Sequence, residues 1–248
     1  MNTRRKALSA LAALASLALT PAARAHTGAR LRIVTAHLPP LVLEHGGDRP
    51  GALFELVQEL CRRLQLAPAT EFVPWPRALF LAGASQATAI FPLTRQPDRE
   101  ARFRWLAPLY DENYVFLAPR QGRFDLRHPE AMTTRRITLI RGAAQGAVLR
   151  ELGYRRLVEA NSIEEVHRFL LGGMADAAFG ERNIIKTSLR TRGAENDFSI
   201  SAPVHSTTAW LAGSLDFGDD EVRQFGAAMA AMKADGTARR ILSRYGLE

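Results

Sequence analysis

Residues 31–73, LRIVTAHLPPLVLEHGGDRPGALFELVQELCRRLQLAPATEFV, begin and end on β-forming runs and carry a helical pattern between them. Leu31-Arg32-Ile33-Val34-Thr35-Ala36 reads as a strand, and Pro39-Pro40 and Gly46-Gly47 mark a loop after it. Gly51 opens a helix in which Leu53, Val57, Leu60 and Leu64 recur at helical spacing. Glu55, Gln58, Glu59, Arg62 and Arg63 fall mostly on the other side. A second strand follows at Thr70–Val73. Strand, helix, strand in this order predicts a parallel sheet, because parallel neighbours need a crossover helix.

The pattern continues outward. A short helix is expected at Arg77–Ala82 and a strand at Ala87–Leu93. A second set runs strand Arg136–Ile140, helix Gln145–Leu152, strand Arg156–Glu159, helix Ser162–Leu171, strand Ala175–Phe179 and helix Arg182–Arg190. Tyr114–Ala118 reads as a strand crossing between the two sets, with Phe198–Pro203 as the return. Asp219 to Glu248 reads as two helices broken at Gly236 that pack back on the first set. FLAGASQATAIF (Phe80–Phe91) echoes FLLGGMADAAF (Phe169–Phe179), each a helix end, a tight turn and a short apolar strand. Two similar lobes would face each other across a cleft, where the carboxyl ends of parallel strands place loops and helix N-termini around a ligand.

The first 25 residues, MNTRRKALSALAALASLALTPAARA, predict export. Arg4, Arg5 and Lys6 precede an apolar run from Ala7 to Thr20, and Ala23-Arg24-Ala25 supplies small residues for cleavage after Ala25. The run is too short for a bilayer that needs about 20 residues. Thr3-Arg4-Arg5 also permits a twin-arginine route. Removal takes away four basic residues and no acid, so the formal charge falls from +8 to +4. The remaining arginines are scattered, which argues against a nucleic-acid partner. The one cysteine, Cys61, can form no internal disulfide and reads as a buried thiol on the helix's apolar side.

Thr94-Arg95-Gln96-Pro97-Asp98-Arg99-Glu100, followed by Phe103-Arg104-Trp105-Leu106-Ala107-Pro108-Leu109-Tyr110, resembles a turn and segment of the bacterial extracellular solute-binding proteins of family 3, the polar amino-acid uptake type. Pro39-Pro40, Gly51, Trp75, Gly172…Asp176-Ala177-Ala178-Phe179 and Lys233-Ala234-Asp235-Gly236-Thr237 resemble the same family, so the likeness spans the mature chain. The resemblance implies an α/β, two-lobed type II periplasmic-binding fold, each lobe a mostly parallel sheet flanked by helices, with two crossing strands as hinge. Lobe 1 would hold residues 26–116 and 204–248, and lobe 2 residues 117–203. It further implies a monomeric periplasmic receptor for an amino acid or related carboxylate, serving an ABC permease, with no cofactor and no metal.

By the same resemblance Arg99 grips the ligand carboxylate, and a planar, permanently charged guanidinium suits a bidentate grip. Thr94 offers its hydroxyl and N–H to that carboxylate, Glu181 faces the ammonium from the other lobe, and Trp75 walls the ligand's side chain. Ala143 and Ala144 sit where backbone N–H groups meet the anion. The alternatives are a surface ion pair of Arg99 with Asp98 or Glu100, strand-end capping by Thr94, core packing for Trp75, and a helix N-terminal acid for Glu181. Asp176 reads as structural. Gly142-Ala143-Ala144 stands where the family often has hydroxyl residues, and Leu38 where it often has an aromatic one, so ligand identity does not carry over.

No Gly-x-Ser-x-Gly elbow or phosphate loop occurs, and the six histidines show no paired metal spacing. The chain is therefore expected not to be an enzyme. Two other readings share the fold: a periplasmic dehydratase of the cyclohexadienyl type with Glu181 as general acid, and a sensing module for a membrane signalling partner.

Overall fold

The computed structural model describes residues 31–247. The expected leader and its cleavage after Ala25 lie outside the described residues. Strand β1 (Arg32–Thr35) is followed by α1 (Ala52–Arg63), β2 (Ala69–Phe72), α2 (Trp75–Ala84) and β3 (Thr88–Thr94). A 3-10 turn at Pro97–Arg99 leads into β4 (Arg104–Pro119). The second set is β5 (Ile137–Ile140), α3 (Gln145–Glu151), β6 (Leu157–Ala160), α4 (Ile163–Leu171), β7 (Ala177–Glu181) and α5 (Arg182–Arg192). The chain returns through β8 (Phe198–Ile200) and β9 (His205–Gly213) and ends on α6 (Asp219–Ala234) and α7 (Thr237–Ser243).

Strand order is β2-β1-β3-β9-β4-β7-β5-β6, with β8 beside β4. The outer pairs are parallel, as the alternation of strands and helices predicts: β1 with β2 and β3, and β5 with β6 and β7. The centre is antiparallel, because β4 and β9 run beside each other from one half to the other. Hydrogen bonding is thus continuous, yet the side chains form separate cores. On the first half Ile33, Leu56, Phe91 and Leu211 pack on one face of the sheet, and Val34, Ala78, Ile90 and Leu93 on the other. On the second half Phe116, Leu139, Tyr154 and Phe179 form one face and Val115, Leu117, Val166 and Ile185 the other. Neighbouring residues serve opposite faces because side chains alternate along a strand. On β4 the first core ends at Tyr110 and the second begins at Tyr114.

Two elements differ from the sequence expectation. The crossing strand begins at Arg104, ten residues before Tyr114, because Arg104–Tyr110 continues the same ladder past register shifts near Ala107 and Tyr110. The return is carried by β9 rather than by Phe198–Pro203. Its start, His205-Ser206-Thr207-Thr208, is polar because one face there meets solvent: Ser206 and Thr208 hydroxyls donate to Asn113 and Asp111 of β4. The C-terminal helices pack on the first half through Met229, Met232 and Ile241. Cys61 is buried and its thiol is pushed up to about 11 by that burial, in keeping with an unreactive core residue. No described helix is long and apolar enough to cross a membrane.

Helix α1 shows how local sequence fixes the first half. Leu53, Leu56, Val57 and Leu60 are buried, each burial contributing roughly 1.5–3 kcal/mol. Gly51 caps the helix at φ 105°, and a Cβ there would lie 2.6 Å from the Leu41 carbonyl oxygen. Only glycine takes this conformation beside that backbone. Gly51→Ala is expected to cost about 1–3 kcal/mol of stability, read as a lowered midpoint in urea unfolding; an unchanged midpoint would contradict this account of the turn.

Candidate functional site

The turn after β3 aims Arg99 inward. Pro97 sets the 3-10 turn, the Arg99 N–H donates to the Gln96 carbonyl, and the side chain folds back under the strand end. Its guanidinium donates from Nη1 to the Thr94 carbonyl at 2.9 Å and from Nη2 to the Gly142 carbonyl at 2.9 Å. The second bond crosses to the loop after β5. Gln96 makes a parallel crossing, its Nε2 donating to the Ala144 carbonyl at 2.9 Å. Arg99 is only 6% exposed, and burial lowers its pKa, the Asp98 charge opposing. Glu100 is engaged by Arg95 at 2.7 and 2.9 Å instead. A surface ion pair with Glu100 is therefore not what holds Arg99.

Thr94 links this guanidinium to a second charged group. Its carbonyl accepts from Arg99, while its hydroxyl donates to Glu112 Oε2 at 2.9 Å. The Tyr114 hydroxyl donates to the same Oε2 at 2.9 Å. Tyr110, Glu112 and Tyr114 alternate along β4 and are buried, whereas Asp111 is exposed on the opposite face. Glu112 thus sits where the two cores meet. Burial pushes its carboxyl up to about 7; the Thr94 and Tyr114 hydrogen bonds oppose the shift and the Glu181 charge adds to it.

Glu181 ends β7 and caps α5. Its Oε2 accepts the N–H groups of Asn183 at 2.7 Å and Ile184 at 2.8 Å. Its Oε1 lies 3.4 Å from the Tyr110 hydroxyl and 3.3 Å from Asn183 Nδ2. Burial raises its pKa, opposed first by the Ile184 and Asn183 N–H groups. The residue is therefore a helix N-terminal acid, and it still faces the cleft. Asp176, read as structural, ties the turn before β7 by accepting from the Arg136 N–H at 2.8 Å and from its guanidinium.

Arg99, Thr94, Glu181, Trp75, Ala143 and Ala144, the six residues expected at a site, all line one cavity of about 90 Å³. Trp75 also packs with Val34, Ala78 and Leu93, so core packing and cleft wall coincide in it. Four further polar residues line the cavity that the sequence did not mark as site residues: Glu112, Gln145, His167 and Ser188. The Tyr110-x-Glu112-x-Tyr114 alternation marks Glu112, but it lies before the expected start of the crossing strand at Tyr114. Gln145 had no such signal. Its side-chain oxygen is buried with no hydrogen-bond partner among the described residues, leaving an acceptor toward the cavity.

No protein-family model and no curated protein sequence matches the chain. Solved structures do. The GluR0 ligand-binding core from Nostoc punctiforme in complex with L-glutamate aligns over 87% of this chain and 99% of its own, with a TM-score of 0.74 at 14% identity. A periplasmic His/Glu/Gln/Arg/opine family-binding protein from Silicibacter pomeroyi in complex with lysine aligns over 87% and 96%, with a TM-score of 0.72 at 18% identity. The chain has the two-lobed periplasmic-binding fold. A histidine kinase sensor domain with similarity to periplasmic binding proteins shares it, with a TM-score of 0.76 at 18% identity over 88% of this chain and 97% of that one.

The raised carboxyl of Glu112 makes a stability prediction. A group whose folded pKa exceeds its unfolded value of 4.5 contributes stability that is fully present below about pH 4.5 and is lost as pH rises through about 7. Glu112→Gln removes that loss. Between pH 5 and pH 8 the wild type should lose stability relative to Glu112→Gln in chemical unfolding, and parallel pH profiles would contradict the buried-acid assignment.

Proposed function

We propose that the chain is a periplasmic solute-binding protein that captures an amino acid between its two halves. The observation that carries this reading is the buried Arg99 guanidinium, held between the Thr94 and Gly142 carbonyls at the wall of the cavity. A guanidinium carries five N–H donors, so those two bonds leave others for a carboxylate. Burial strengthens such a contact because water no longer competes.

Thr94 and the Ala144 N–H complete the carboxylate seat, the Ala143 N–H being donated to the Ile140 carbonyl, and Trp75 walls the side chain. The ammonium faces Glu181 and Glu112. Both acids are buried beside the cavity with raised pKa, which a bound cation relieves. Thr94 touches both Arg99 and Glu112, so receptors of opposite sign stand one residue apart, as an α-amino acid needs for charges carried on one carbon. β4 and β9 act as the hinge, and closure buries the ligand. Export by the N-terminal leader, solution as a monomer and delivery to an ABC permease complete the reading.

A sensing role is the second reading, favoured by the likeness to a histidine kinase sensor domain. Ligand capture is common to both.

A thermal-shift screen of amino acids, small dicarboxylates and polyamines tests the class, since a ligand that binds only the folded state raises the melting temperature. Amino acids should raise it, and Arg99→Ala should weaken their binding by about 2–5 kcal/mol. An unchanged dissociation constant would remove Arg99 from the site. Because an ammonium favours the ionised form of Glu112, binding near pH 7 should release protons, read by calorimetry in buffers of different ionisation enthalpy. No proton release would place the ammonium away from Glu112.

A further inference from the structure

The cavity does not stop at the charged groups between the halves. It continues into the second half between α4 and α5, where Val166 and His167 line it from one helix and Ile185 and Ser188 from the other. Leu117 and Ala178 of the sheet form its floor. From Ile184 to Ser188 is about one helical turn, so the lining runs roughly 6 Å along α5. Its walls belong to the apolar core of this half: Leu117, Val166, Ala178 and Ile185 are all members of that cluster.

The polar feature of the arm is its end. His167 is 3% exposed, and its Nε2 lies 2.7 Å from Ser188 Oγ. Burial lowers the histidine's pKa, the Arg192 charge adding to the effect and Glu164 opposing it, so the ring is neutral at ordinary pH. The pair adapts to what it meets. If the serine donates to Nε2, its oxygen is left as an acceptor. If the ring donates, the hydroxyl proton is free for a ligand. None of the residues lining the arm is ionised. A charged group placed there would lose its hydration without gaining a counter-ion.

We propose that this arm is a side-chain pocket selecting amino acids with an uncharged, mainly apolar side chain, its tip meeting the His167–Ser188 pair. The inference rests on the reading that Arg99 holds the α-carboxylate.

The test is calorimetry with glycine, L-alanine, L-methionine, L-glutamine, L-lysine and L-glutamate, on the wild type and on Ser188→Leu, which fills the arm. Methionine and glutamine should bind the wild type at least tenfold more tightly than lysine or glutamate. In Ser188→Leu the methionine-to-alanine affinity ratio should fall at least tenfold. Lysine or glutamate binding as well as methionine would overturn the proposal, as would an unchanged ratio in the variant. If Ser188→Leu does not fold, Ser188→Ala replaces it: glutamine should then weaken relative to methionine, and equal effects on both would overturn the role of the pair. If no amino acid binds the wild type at all, the carboxylate reading fails and the pocket with it. Binding of alanine alone, with no gain for longer chains, overturns the pocket and leaves the carboxylate seat standing.

Discussion

A buried guanidinium that must be satisfied from both halves is the constraint around which the molecule is arranged. An arginine cannot shed its charge in a protein, so hiding one requires oxygen atoms placed for it. The chain supplies these from opposite sides, the Thr94 carbonyl at the end of β3 and the Gly142 carbonyl after β5. Carbonyl dipoles satisfy hydrogen bonds without cancelling the charge. The positive charge is thus desolvated and only partly compensated, which is a suitable state for receiving an anion. Opening the halves would break the Gly142 bond and let water in; a carboxylate entering at that point would replace what water loses on closing.

The negative groups follow from the same economy of space. β4 must pass from one core to the other, and where the cores part, the inward-facing positions Tyr110, Glu112 and Tyr114 meet the cleft instead of apolar packing. Glu112 is held there by two hydroxyls and sits close enough to Glu181 for each charge to disfavour the other. Glu181 is steadied by the first N–H groups of α5. Two acids kept reluctant by burial and by each other make a site that favours a cation. The apolar body of the cavity, from Trp75 to Ile185, leaves any polar preference to its few hydrogen-bonding groups.

Much of this was legible from the chain. Period-3.6 patterning placed α1 because Leu53, Val57 and Leu60 must share a buried face, and the Phe80–Phe91 and Phe169–Phe179 echo marked the paired turns into β3 and β7. These are the two strands that flank the crossing pair. Arg99 was singled out by the family resemblance of the Thr94–Glu100 turn rather than by any local pattern, and the turn after β3 brings it to the cavity wall. What failed was the centre of the sheet. β9 begins with polar residues that face water on one side, so the apolar signal of a strand is diluted there. Glu112 lies in the part of β4 before Tyr114, and its burial is set by a strand passing between cores, which no local pattern marks. The Gln145 and His167–Ser188 groups depend on helix-to-helix placement, which no local pattern encodes.

The central claim is tested most directly by a crystal structure of the protein grown with an amino acid that stabilises it. The account expects the ligand's carboxylate within hydrogen-bond distance of the Arg99 guanidinium, enclosed between the two halves, with its side chain directed toward α4 and α5. A ligand bound elsewhere, or in the cleft with its carboxylate turned away from Arg99, would contradict it.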